Sequence, residues 1–159
     1  MTEKPDSVSY VGNMCCGHEY ETAPKLGGPV SLKCFVDACR REQIQVYSWT
    51  NNDQSYLSPN NANSSKDGWF VKMEDARLKY GGAYTNVFTI LDFKQGEPRR
   101  YWLESLKKIK QETGLNAYLF DSIYNLGFMP VSYSDMNPTT QWRELLQAFK
   151  ELQDRTSIF

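Results

Sequence analysis

The sequence predicts an α/β fold of consecutive β-α units, which we interpret as a partial (β/α)8 barrel. First, apolar segments with strand and helix periodicity alternate along the chain. Second, the joins from helix to strand are tight, at residues 42–43 and at Gly114. Third, the joins from strand to helix are long, as in barrels whose sites lie in the loops after the strands.

The first half of the chain predicts two strands and a helix between them. Residues 7–12 alternate weakly and predict a short strand, and the Gly- and Pro-rich residues 13–30 predict a loop. A helix is predicted over residues 31–43, with Ser31 as its N-cap. Its predicted buried face has apolar residues at helical spacing: Leu32, Phe35, Val36 and Cys39.

A second predicted strand is followed by a long polar segment. Residues 44–49 are β-branched and aromatic and predict a strand that ends at Trp49. The loop after it is long for a compact domain, and such loops are usually functional or mobile. Two further extended segments are predicted over residues 69–73 and 87–92.

The next unit is a helix followed by a strand. The helix is predicted to have Pro98 in its first turn and to stop at Gly114. Its buried stripe is predicted to be Trp102, Leu103, Leu106 and Ile109. Residues 115–120 predict a strand that runs directly into Asp121.

A last helix is predicted to begin with Asn137 as N-cap and Pro138 in its first position. Its apolar face is predicted to be Trp142, Leu145, Leu146, Phe149 and Leu152. The chain has 159 residues, which predicts a single domain over residues 1–159. A complete barrel needs eight strands and about 250 residues, and about three to four β-α units are predicted here. A small open α/β sheet that is complete as it stands is the alternative to a partial barrel.

Composition restricts the kinds of partner. Net charge is −1, which argues against nucleic acid or an anionic membrane as the main partner. Aromatic residues make up 14% of the chain, which mildly favours a ligand cleft. No apolar run is long enough to span a membrane, and the polar start lacks a signal region. These features predict a cytoplasmic chain, or one that begins inside a longer gene.

The cysteines give little support to metal or thiol chemistry. Cys34 and Cys39 fall inside the first helical pattern and are predicted to be core residues. Cys15 and Cys16 lie near His18, but zinc sites usually need two spaced pairs of ligands. We therefore predict no metal and no cofactor, and a cysteine- or metal-dependent enzyme is the third hypothesis.

Polar residues follow the predicted strand ends, and Asp121 is the most informative of them. A buried carboxylate is costly unless it is paired or used. The N-cap predicted at Asn137 is sixteen residues later, so Asp121 is not a cap, and this favours a functional role. Asp92 precedes a helix by a few residues, and a cap and a functional role are equally supported for it.

Paired carboxylates at strand ends fit glycoside hydrolysis, in which one acts as nucleophile and another protonates the leaving oxygen. Glu19 and Asp135 are both open as the second carboxylate. The predicted substrate-binding residues are His18, Trp49, Asn51, Trp69, Asp92, Tyr124 and Asn125. The tryptophans and Tyr124 would stack on sugar rings.

Two stretches resemble units of glycoside hydrolase barrels. The stretch GGPVSLKCFVDACRREQIQVYSWTN resembles a helix that leads into a strand with Trp at its end. The stretch ILDFKQGEPRRYWLESLKKIKQETGLNAYLFDS resembles the following unit in α-galactosidase-like (melibiase) and α-glucosidase-like hydrolases. The α-amylase superfamily has a related unit. The resemblance covers residues 28–50 and 90–125, about half of the chain.

The resemblance implies retaining hydrolysis of α-linked sugars with Asp121 as the nucleophile. Two departures are Asn116-Ala117, where these families have Asp-Gly, and Leu119, where α-amylases have Arg. In these families the acid/base comes from a later strand. The resemblance therefore implies that the chain corresponds roughly to the second to fourth β-α units of a barrel and is inactive alone. Open strand edges would favour self-association. The alternative is a non-catalytic carbohydrate-binding or assembly module.

Overall fold

The structure is a computed structural model that describes residues 21–50, 52–55, 68–75, 80–81, 88–115, 117–120, 131–134, 136 and 138–154. The α-helices in these ranges are α1 (Gly28–Arg41), α2 (Gly96–Thr113) and α3 (Trp142–Asp154). The strands are β1 (Tyr47–Thr50), β2 (Asp53–Ser55), β3 (Tyr80–Gly81), β4 (Phe88–Ile90), β5 (Ala117–Phe120), β6 (Val131–Ser132) and β7 (Thr139–Thr140). The strand predicted over residues 7–12 lies outside the described residues.

The central pairing joins β1 and β5 in parallel. Tyr47 lies opposite Ala117, and Thr50 lies opposite Phe120. Parallel neighbours need a long crossover, and here α2 lies within the segment that connects the two strands. The predicted parallel β-α-β arrangement is confirmed for these strands.

Two small antiparallel sheets accompany the parallel pair. β4 lies between β2 and β3, and β6 pairs with β7. The extended segment predicted over residues 69–73 runs beside β4, where Phe70 bridges Leu91 and the Val71 N–H donates to the Ile90 carbonyl at 2.8 Å. The antiparallel segment around β4 belongs to the hydrophobic core, since Val71, Ile90 and Leu91 are fully buried.

Trp102 of α2 is at the centre of the hydrophobic core. Its side chain is fully buried, and the predicted stripe of α2 is confirmed. The ring centroid of Trp102 lies 5.2 Å from that of Phe93, 5.5 Å from that of Phe120 and 6.1 Å from that of Phe149. The Trp102 side chain thus joins α2 to the segment before it, to the end of β5 and to the middle of α3.

The prediction for α1 is wrong at its start and on one flank. Gly27, with φ 91°, is the N-cap, and a Pro occupies the first turn, so the helix begins before Ser31. Phe35, predicted to be buried, is 52% exposed, and Cys34 is exposed. The helix packs on α2 through its opposite flank, where Arg40 Nη2 donates to the Gly114 carbonyl at 2.8 Å.

The prediction for α3 is also wrong at its start. Thr139 and Thr140 pair with β6, so Pro138 lies before the hairpin strand and the helix begins at Trp142. Asn137 lies outside the described residues. Leu145 and Leu152 are buried as predicted, whereas Leu146 is exposed. Because Thr139 and Thr140 pair with β6, α3 is shorter at its N-terminus than the predicted capping residues indicated.

Gly114 ends α2 as predicted, in the left-handed conformation with φ 72°. Its N–H donates to the Lys110 carbonyl at 2.8 Å. A Cβ added here would lie 3.2 Å from Arg40 Nη2. The backbone conformation therefore favours glycine, whereas the flexible Arg40 side chain would need only a small shift to accept a Cβ.

We expect Gly114→Ala to lower the free energy of unfolding by about 1 kcal/mol or more, because an L-residue is strained at this φ. Chemical denaturation with a linear extrapolation measures the change. Gly96→Ala is the matched control, since no atom lies within 4 Å of an added Cβ there. Equal losses in the two variants would contradict this interpretation.

Candidate functional site

Two neighbouring strands end side by side at the predicted site. β1 ends at Thr50 and β5 ends at Phe120, and these two residues are register partners. In the sequence Asn51 follows Thr50, and Asp121 follows Phe120. Folds with parallel strands place their ligand sites at the carboxyl ends of those strands.

One face of β5 is fixed against two helices. The phenol of Tyr118 donates a hydrogen bond to the Leu106 carbonyl of α2. The Phe120 ring lies 4.4 Å from the Phe149 ring of α3, centroid to centroid, and also contacts Trp102. These contacts hold the end of the strand immediately before Asp121.

The opposite face of the parallel pair is open. Tyr47 is 58% exposed and Leu119 is 51% exposed. Trp49 lies in β1 opposite Leu119, and its side chain is outside what the structure describes. Parallel sheets are normally covered on both faces, so large exposed side chains here are unusual.

Asp92 lies just after β4 with 0% of its surface exposed. Its Oδ1 accepts hydrogen bonds from the Lys94 N–H at 3.0 Å and from Gln141 Nε2 at 2.7 Å. Its Oδ2 accepts a hydrogen bond from Ser132 Oγ at 2.5 Å and another from Ser134 Oγ. Both oxygens are therefore occupied by protein donors, and the predicted contact with a sugar stays a prediction.

Gln141 extends this group of side chains, which we name the Asp92 cluster (Asp92, Ser132, Ser134 and Gln141). Gln141 Oε1 accepts the Phe93 N–H at 2.8 Å, and the Gln141 backbone carbonyl accepts the Leu145 N–H at 2.9 Å. The same residue therefore contacts the carboxylate, the segment before α2 and the first turn of α3.

Sequence reasoning missed three members of the cluster. Ser132 and Ser134 are two residues apart, a spacing that places side chains on the same side of an extended chain. Gln141 immediately precedes the apolar stripe of α3. These weak signals identify possible donors, but they do not identify Asp92 as the acceptor.

Trp69, predicted to stack on a sugar, is 6% exposed. Its Nε1 donates to Glu97 Oε2 at 3.0 Å, and its ring centroid lies 5.2 Å from that of Tyr101. Most of the indole thus faces α2. The stacking role stays a prediction that would depend on the remaining exposed part of the ring.

The other predicted site residues lie outside the described part of the chain. This group comprises His18, Asn51, Asp121, Tyr124 and Asn125, together with Glu19, Asp135, Cys15 and Cys16. Their predicted roles stay predictions.

The described ranges offer no group of three or more His, Cys, Asp or Glu side chains that could hold a metal ion. Among the helices in the same ranges, none is long and apolar enough to cross a membrane.

Comparison with known proteins finds solved structures with a similar fold. No protein-family model matches this sequence, and no curated protein matches it. An α-amylase from Geobacillus thermoleovorans, solved with acarbose, is similar with a TM-score of 0.66 and 17% identity, over 92% of this chain and 33% of that chain. The ligand-free α-N-acetylgalactosaminidase NagBb from Bifidobacterium bifidum is similar with a TM-score of 0.71 and 13% identity, over 95% of this chain and 25% of that chain. A GH31 family sulfoquinovosidase from E. rectale has a TM-score of 0.60 and 12% identity, over 79% of this chain and 20% of that chain.

The chain shares the fold of the matched parts of these solved structures. It spans between a fifth and a third of the length of these solved structures. At these identities the likeness concerns the fold, and it does not distinguish the α-galactosidase type from the others.

Tyr118 gives a test of how firmly β5 is held. Burial raises the pKa of its phenol well above the ordinary value of 10. As pH rises above about 10, the unfolded chain loses this proton and the folded chain keeps it. The free energy of unfolding should therefore fall with rising pH in this window. In Tyr118→Phe this free energy should fall less steeply.

Denaturation curves recorded between about pH 9 and pH 11, around the ordinary tyrosine pKa, measure the two slopes. Tyr47→Phe is the control, because the Tyr47 side chain is 58% exposed and its phenol donates to the nearby Gln45 side chain at 2.7 Å. Identical slopes in the wild type and Tyr118→Phe would show that Tyr118 is accessible to solvent.

Proposed function

We propose that this chain is part of a (β/α)8 barrel of glycoside hydrolase type that acts on α-linked sugars, with Asp121 as nucleophile. One observation carries the proposal. The parallel β1–β5 pair lies within a glycoside hydrolase-type fold, and Asp121 immediately follows the end of β5. Support for α-linked substrates comes from the α-amylase and the α-N-acetylgalactosaminidase among the similar structures.

In the proposed reaction Asp121 attacks the anomeric carbon. The bond from that carbon to the leaving oxygen breaks, a carboxylic acid protonates this oxygen, and the sugar is held as an ester of Asp121. Water then hydrolyses the ester with retention of configuration. We place the acid outside these 159 residues. The candidates for this role within the chain are Glu19 and Asp135. Without that acid the chain alone would be inactive on ordinary glycosides.

The proposed sugar contacts follow the same strand ends. Trp49 and Tyr124 would stack on sugar rings, and His18, Asn51 and Asn125 would donate or accept hydrogen bonds. Trp69 and Asp92 were also predicted to contact the sugar. Their burial favours a supporting place beneath the contacts rather than a direct one.

A glycosyl fluoride tests Asp121 without the missing acid, because fluoride leaves with little need for protonation. We expect a 5-fluoro-α-D-glycosyl fluoride of the gluco or galacto series to transfer its sugar to Asp121. The bond from the anomeric carbon to fluorine breaks, a bond to the carboxylate oxygen forms, and fluoride is released. Mass spectrometry of the intact chain and of its peptides measures the added glycosyl group.

Asp121→Asn should take up no label, whereas Asp37→Asn, which changes an exposed carboxylate on α1, should be labelled like the wild type. No label on the wild type at saturating reagent, or equal labelling of Asp121→Asn, would remove Asp121 from the mechanism. Rapid hydrolysis of an alkyl α-glycoside by the isolated chain would refute the claim that its acid lies elsewhere.

A second candidate function is a non-catalytic carbohydrate-binding or assembly module. The exposed Tyr47 and Leu119 on the open face of the parallel pair favour assembly. Among the described strands, β1 and β5 pair only with each other, which also fits self-association through open strand edges. Binding of a methyl α-glycoside without any labelling by the fluoride would favour this candidate.

If the open face mediates self-association, sedimentation velocity over a range of concentrations should show reversible dimers or larger species. Leu119→Lys should shift the distribution towards monomer, because it places a charge on this face. Leu146→Lys changes an equally exposed leucine on α3 and should have no effect. A wild-type chain that stays monomeric, or equal effects of both variants, would contradict assembly through this face.

A further inference from the structure

We infer that Asp92 is a positioning residue, whose carboxylate holds the β6–β7 hairpin and the start of α3 against the end of β4. The inference deepens the proposed function, and its consequence for sugar binding rests on that function, because β5 is directed towards the start of α2, near which Asp92 lies. The geometry of the Asp92 cluster itself stands independently of any sugar.

The burial of Asp92 requires compensation. A carboxylate with 0% exposure is costly unless its oxygens accept hydrogen bonds. Asp92 accepts four of them, two on each oxygen, and every donor is neutral: a backbone N–H, a side-chain amide and two hydroxyls. The 2.5 Å separation from Ser132 Oγ is typical of a charge-assisted bond. A site this fully occupied supports the fold rather than a direct ligand contact.

Three of the donors come from distant parts of the chain. Ser132 and Ser134 follow Asp92 by 40 and 42 residues, and Gln141 follows it by 49 residues. The N–H of Ser134 also donates to Ser132 Oγ at 3.3 Å, so the serines are held together. The carboxylate therefore fixes two later segments that no local periodicity places there.

The cluster lies on the side of the fold towards which β5 points. The N–H of Gln95 donates to the Asp92 carbonyl at 3.0 Å just before α2 begins. β5 runs antiparallel to α2, since Tyr118 contacts Leu106 and Phe120 contacts the earlier Trp102. The end of β5 is thus directed towards the start of α2, where Asp92 lies.

Asp92→Asn tests the carboxylate with almost no change of volume. The oxygen of the new amide should face Lys94 N–H and Gln141 Nε2, because these two groups are donors and cannot accept a hydrogen bond. Its NH2 group then faces the two serine hydroxyls, which must reverse to accept from it. The hairpin should loosen while the rest of the fold persists.

Hydrogen–deuterium exchange on the full chain measures this loosening. In Asp92→Asn we expect exchange to be about tenfold faster in peptides that cover residues 131–134 and 139–145, as for loss of hydrogen bonds to a charged group. Peptides that cover β1, β5 and α1 should be unchanged. Asp37→Asn, whose exposed carboxylate accepts from Lys33 and Arg40, is the control and should leave the hairpin unchanged.

A second readout separates positioning from a merely structural role. Titration with methyl α-D-glucopyranoside and methyl α-D-galactopyranoside, under conditions where every variant is folded, should show weaker binding by Asp92→Asn and Ser134→Ala. Ser134→Thr keeps the hydroxyl and should bind like the wild type. If the wild type binds neither sugar, the proposed function fails, and the exchange pattern alone decides whether Asp92 positions the hairpin.

The inference is overturned if Asp92→Asn exchanges like the wild type, or if exchange rises equally throughout the chain. It is also overturned if the wild type binds a sugar and Asp92→Asn binds it equally well. If Asp92→Asn does not fold, Ser134→Ala decides, because Ser134 is partly exposed and contributes one donor. Faster exchange confined to the hairpin and the start of α3 then supports the inference, and unchanged exchange refutes it.

Discussion

The buried carboxylate of Asp92 is the interaction on which the arrangement of the later segments depends. It joins the end of β4 to the β6–β7 hairpin directly and to α3 through Gln141. Removing a buried carboxylate from water is unfavourable, and the four hydrogen bonds to Asp92 offset that cost. The need for these partners favours one placement of the hairpin among the many that a polar segment could adopt.

The parallel β1–β5 pair imposes a second constraint, because its two faces need to be covered by other parts of a protein. One face of β5 is closed by aromatic packing in which Trp102, Phe120 and Phe149 are in mutual contact. The other face exposes Tyr47 and Leu119. A parallel sheet is normally buried on both faces, so the exposure of these two side chains is unusual.

Fold and function rest on different grounds in this protein. Similar structures at 12–17% identity show a shared fold over most of the chain. A fold of this kind hosts many chemistries, and the reaction depends on the residues at the strand ends. Asp121 is the proposed nucleophile because of its place after β5, and its chemistry is an experimental question about one side chain rather than about the architecture.

The sequence alone determined the features that depend on neighbours along the chain. The buried stripe around Trp102, the stop at Gly114 and the parallel order of β1 and β5 all follow from helical spacing, glycine conformation and alternation of elements. Only the tertiary structure decided which distant groups meet. Ser132 and Gln141 could be recognised as donors for Asp92 only in the fold, because buried polar groups are satisfied by partners that packing brings together and sequence spacing does not encode.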